Sequence, residues 1–166
     1  MRARLVCRLG LGCSVVVGLL VVATAVEVAA DEPKIRFVMV VAKNSVLTDM
    51  TFQDLKHLYS GDFITGPGGK RLMPLNRALG SPERVAFDRV VTGMSPPDVA
   101  SYWLDRRIRG QSGSPRGIES AAILQRLVIK FDGAIGYVLP SEISSDVKIV
   151  RIDGKGPADP GYPIER

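Results

Sequence analysis

The chain has 166 residues, enough for one domain, and carries 22 basic and 17 acidic residues with a single histidine. That positive balance is too mild to argue by itself for a nucleic-acid partner, and none is expected; it is compatible with a small anionic ligand. The lone imidazole, His57, leaves a histidine-built metal site or a histidine-centred triad one ring to work with.

The first thirty residues read as an export signal. Arg2, Arg4 and Arg8 form a basic start, Leu9 to Val26 an apolar run, and Val28-Ala29-Ala30 a small-residue cleavage site before Asp31. The rival is a membrane anchor, for which the run is slightly short and ends on Glu27. Cys13 precedes most of the apolar run, so it does not fit a lipidation cysteine. Cys7 and Cys13 both leave with the signal, and a thiol-free exported domain must be held by its core alone. About 136 residues can build such a core. With the signal's three arginines and one glutamate set aside, 19 basic and 16 acidic residues remain, a net of +3.

Beyond a short leader, Ile35 to Ala42 is almost continuously apolar and β-branched, as in a strand buried on both faces. This predicts a layered α/β domain with a mixed sheet flanked by helices. Lys43-Asn44-Ser45 leaves the end of that strand, where α/β folds often bind ligands. The alternative for this stretch is a polar turn. Thr51 to Asp54 resembles a capping box, and Phe52, Leu55, Leu58 and Tyr59 give the following helix one apolar face. His57 falls beside that face and reads as a surface or half-buried residue. Thr65 to Gly69 is a turn-rich loop with no Gly-Lys-Ser/Thr after it, so it is not a nucleotide loop.

Arg71 to Leu75 is the second predicted strand, and it leads into Asn76-Arg77-Ala78-Leu79-Gly80-Ser81-Pro82-Glu83. Ser81 is a good N-cap, and Pro82 suits the first helical position. A helix start offers unpaired N–H groups and a partial positive charge. Arg77 could aim a planar donor at the same oxyanion, and Gly80 lets the backbone approach it. The plain alternative is an ordinary capped helix with a solvated arginine. Phe87, Val90, Val91 and Met94 form the inner stripe of this helix. Ser95-Pro96-Pro97-Asp98 starts the next one, with Val99, Tyr102 and a core-anchoring Trp103. Arg106 to Gly117 reads as a basic, flexible loop able to meet an anion or an acidic partner. Glu119-Ser120 opens a helix with Leu124, Leu127, Val128 and Phe131 inward. Asp132-Gly133 ends it. Ala134–Leu139 and Val147–Ile152 are the last two strands, and residues 153–166 read as a flexible tail.

These pieces, in this order, resemble the phosphate-binding proteins of ABC transporters. The resemblance rests on Met50 to Asp62, on Arg77-Ala78-Leu79-Gly80-Ser81, on Trp103, and on Asp132-Gly133-Ala134-Ile135-Gly136-Tyr137-Val138. It covers about Phe37 to Val138, and it is to a short, single-lobe member of the type II periplasmic binding protein-like superfamily. The resemblance implies an α/β, three-layer fold like one lobe of such a protein, spanning residues 31–152. It implies a periplasmic, non-catalytic module that binds phosphate or a similar oxyanion, with no cofactor. By position, Arg77, Gly80 and Ser81 inherit the anion contacts, and Ser45 a hydroxyl from the first crossover. A permease, a receptor or a second copy would complete the site, because the full family closes two lobes on its ligand. Pro82-Glu83 departs from the family's Gly-Thr, removing an N–H and a hydroxyl and adding a carboxylate. An open half-site would stabilise phosphate by about 1–3 kcal/mol, millimolar affinity or worse. The second reading is an envelope interaction domain that kept the fold and lost the ligand. No serine has a histidine beside it in any motif, and no paired carboxylates stand out, which argues against an enzyme.

Overall fold

The computed structural model describes residues 35–165; the expected export segment lies outside them. Six strands form one sheet in the order β2-β6-β1-β5-β3-β4. They are β1 (Val38–Ala42), β2 (Asp49–Met50), β3 (Met73–Arg77), β4 (Arg116–Ile118), β5 (Ala134–Val138) and β6 (Val147–Ile152). β1 runs against both its neighbours, β5 and β6, while β3 runs parallel to β4 and β5, and β2 parallel to β6. The four helices are α1 (Phe52–Tyr59), α2 (Pro82–Val91), α3 (Pro96–Ile108) and α4 (Ala121–Lys130).

The alternation along β1 shows why its sequence is apolar throughout. Phe37, Met39 and Val41 face one side, where α1 contributes Leu55, Leu58 and Tyr59, and α2 contributes Ala86, Phe87 and Val91. Val38 and Val40 face the other, beneath Ala121, Leu124 and Val128 of α4. The expected three layers are therefore present, with α1 and α2 on one face and α4 on the other. The first face is centred on aromatic rings. Phe87 stacks on Tyr137 with centroids 3.6 Å apart, and Phe37 meets both edge-on.

On the second face, α4 sits so close that a Cβ at Gly136 would lie 2.5 Å from Leu124 Cδ2. Gly136→Ala is expected to cost about 1–3 kcal/mol in urea unfolding, through forced displacement of Leu124. Gly113→Ala, where a Cβ meets nothing within 4 Å, should stay within about 0.5 kcal/mol of the parent.

Local signals fixed the helix starts. Thr51 Oγ1 accepts from Asp54 N at 3.0 Å, and Ser95 and Asp98 form a capping box. Gly133, with φ +80°, turns the chain from α4 into β5. Four expectations need correction. The strand expected at Arg71–Leu75 is Met73–Arg77, so Arg77 lies in the strand and not in a loop after it. The stretch read as a basic loop contributes the last turn of α3 and the edge strand β4. Trp103 is half-buried, packing over Gly61 and edge-on to Tyr102. The expected flexible tail returns to the core: Tyr162 and Ile164 are buried, Phe37 N donates to Ile164 O, and Arg36 pairs with Glu165 at 2.6 Å.

Candidate functional site

Sheet directions decide which expected residues can meet. Because β1 opposes β5 and β3, Ser45 lies at the end of the sheet from which β3 departs. Arg77, Gly80 and Ser81 lie at the end where β3 arrives. Ser45 instead borders a cavity with Lys70, Lys130 and Asp132, and its Oγ accepts from Leu47 N at 3.2 Å. The structure does not bring it to the other three.

Ser81 caps α2 as expected, accepting from Arg84 N at 3.2 Å, with Pro82 in the first turn. That bond uses one of the amides expected to face an anion. Ser81 N donates to Ala78 O, Val85 N to Ser81 O, and Pro82 has no N–H. The Glu83 amide is left, beside its own carboxylate. Gly80 adopts φ +83° with open space around its Cβ position, so a left-handed turn, not a close approach, requires glycine there.

Arg77 is the unusual group. It stands opposite Ile118 in the β3–β4 register, which directs its Cβ to the α4 face of the sheet, away from α2. It is only 8 % exposed, and its Nε and Nη1 are buried without a hydrogen-bond partner among the described residues. A buried, unpaired cation costs several kcal/mol. Two residues beyond Ile118, Ser120 caps α4 by accepting from Ile123 N at 3.3 Å, and Leu124 N is taken by Ser120 O. The Ala121 and Ala122 amides remain at the positive end of that helix. Arg77 and the start of α4 therefore share a face and an end of the sheet.

The backbone of Arg77 is held from both sides. Its N–H donates to Asn76 Oδ1 at 2.9 Å and to Tyr137 Oη at 3.3 Å, and its carbonyl accepts from Arg84 Nη1 at 3.3 Å. Tyr137 Oη in turn donates to Asn76 Oδ1 at 2.5 Å. Arg84 is fixed by Asp88, Nε to Oδ2 2.6 Å, and both are almost fully buried. Burial raises the Asp88 carboxyl above the ordinary carboxylate value, against the lowering effect of Arg84. Burial likewise raises the Tyr137 phenol, which stays neutral as a donor. This network spans β3, β5 and α2 and fixes where the Arg77 side chain leaves the sheet.

Sequence reasoning gave no role at the site to Asn76, Arg84, Asp88, Tyr137 or the α4 start. The Ser120 cap was visible, but its nearness to Arg77 depends on β4, which looked like loop. Among the described residues no group of three or more His, Cys, Asp or Glu comes together to hold a metal ion, and no helix is long and apolar enough to cross a membrane.

No family model matches the sequence, and no curated protein matches it. Solved structures do match. An ABC-type phosphate transport receptor from Vibrio cholerae superposes with a TM-score of 0.63 at 19 % identity, over 80 % of this chain and 54 % of that one. A protein from Clostridium perfringens, assigned as a phosphate ABC transporter substrate-binding protein and solved with bound phosphate, gives 0.64 at 21 % identity, over 80 % and 53 %. PstS from Borrelia burgdorferi gives 0.59 at 13 %, over 80 % and 55 %. The shared property is the fold. This chain spans about half the length of those proteins.

Proposed function

We propose that this chain is a non-catalytic oxyanion-binding module of the cell envelope, of the kind that presents phosphate to a transporter or receptor. The supporting observation is the Arg77 guanidinium, nine-tenths buried with Nε and Nη1 unpartnered among the described residues. An anion at that guanidinium would supply the missing charge, and the amides at the α4 start would add donors. The basic start and apolar run of residues 1–30 favour export to the periplasm. The fold likeness to phosphate receptors favours phosphate among oxyanions.

One lobe surrounds an ion on one side only. The protein alone should therefore bind phosphate at millimolar affinity or weaker, tightening when a permease, a receptor or a second copy covers the open side. Calorimetric titration with phosphate and sulfate tests this. The reading expects weak saturable binding that Arg77→Ala abolishes. Ser81→Ala should reduce stability by about 1 kcal/mol but leave anion affinity nearly unchanged, because its hydroxyl is committed to the helix cap. If Arg77→Ala binds as the parent does, the module is better described as an envelope interaction domain that kept the fold and lost the ligand. Micromolar affinity in the protein alone would refute the half-site argument.

A further inference from the structure

The edge of the sheet carries a second concavity, at the start of β3. β4 has three residues and pairs only with Leu75, Asn76 and Arg77. The first part of β3 therefore has no strand on that side. Pro74 falls there, and having no N–H it leaves no unpaired donor along the open edge. The turn after α1 and residues 112–115 close the notch into a cavity of about 290 Å³. Buried Leu72 and Leu75 line it together with Met73, Leu127 and Phe131. This is near the lower size of small-molecule sites, which are mostly apolar with a few placed polar groups.

The charges around it are one-sided. Asp62 is the one acid in the lining, and it is engaged by His57 Nδ1 at 2.8 Å and Arg106 Nη1 at 3.7 Å. Arg71 and Arg116 also line the cavity. Neither pairs with a carboxylate among the described residues. The Arg71 guanidinium carbon lies 3.5 Å from the centroid of the Phe63 ring. Stacking holds that planar group at the cavity while its edge donors remain available.

We propose that this notch binds a small monocarboxylate with an aromatic or branched apolar body. The body covers the leucine floor, and the two carboxylate oxygens take the arginine edge. Phosphate fits poorly here. Its remaining oxygens would be stripped of water against carbon with no donors to replace it. The inference is independent of the Arg77 site.

Titration of the ¹⁵N-labelled protein with 3-phenylpropionate, to about 10 mM so that a millimolar site saturates, tests it. Saturable shifts are expected at the Gly61, Leu75 and Gly113 amides. The neutral analogue 3-phenylpropanol should bind about fivefold more weakly or worse, the loss of one exposed ionic contact. Arg71→Gln, at an exposed position, should weaken the acid by a similar factor while its spectrum stays dispersed. Arg77→Ala should leave the acid's affinity unchanged, which separates this site from the oxyanion site. The proposal is overturned by absent shifts at these amides, by equal binding of acid and alcohol, or by an unaltered affinity in Arg71→Gln.

Discussion

Asp88→Ala is expected to lower the free energy of unfolding by about 3–5 kcal/mol, the loss characteristic of stranding one member of a buried ion pair. Arg84 is 4 % exposed and its Nε donates to Asp88 at 2.6 Å, so the variant leaves a guanidinium inside the protein without its counter-charge. Urea unfolding of the two proteins measures the difference. A loss below about 1 kcal/mol would mean that Arg84 swings out to water, as exposed pairs allow. The pair also shapes pH dependence. Burial raises the folded-state pKa of Asp88 above its ordinary 3.8. The folded protein then keeps this proton after the unfolded chain has released it. The stabilisation from this group is full below the ordinary value and is lost as pH rises through the raised one. Stability measured across that acidic window should fall more steeply with pH in the parent than in Asp88→Asn.

Arg77→Met should have the opposite sign. Replacing a guanidinium whose Nε and Nη1 are buried without a partner among the described residues by an apolar side chain of similar length removes a desolvation penalty, and a gain of about 1–3 kcal/mol is expected in phosphate-free buffer. The same change should eliminate oxyanion binding. A residue that weakens the empty fold but is required for the ligand fits the usual conflict between stability and function at binding sites. A destabilised Arg77→Met would show instead that the guanidinium supports the fold and has no ligand to await.

The layered fold was legible because its signals are local. The run from Ile35 to Ala42 predicted a doubly covered strand, and the caps at Thr51, Ser81, Ser95 and Ser120 marked the four helix starts. The site was less legible, for a physical reason. A polarity pattern ends β3 at Leu75, since Asn76 and Arg77 are poor residues for a buried strand. They remain in the strand because Tyr137 and Arg84 satisfy the Arg77 backbone and Tyr137 satisfies Asn76 Oδ1. Extending the strand by two residues turned Arg77 to the α4 face and separated it from the Ser81 helix start. Ser45 was misplaced by the same kind of non-local fact, because only pairing reveals that β1 opposes β3. The tail looked unstructured by composition, yet Tyr162 and Ile164 find the open rim of the larger core. Proline and glycine describe the route of that segment and not where its two apolar residues dock.

The most direct measurement is the NMR signal of the Arg77 side-chain Nε–H, followed while phosphate is added. A buried guanidinium that receives an oxyanion should give a protected Hε resonance that moves downfield and saturates with the calorimetric affinity, and the resonance should vanish in Arg77→Met. An Hε signal unmoved by phosphate, while backbone amides elsewhere respond, would contradict the account.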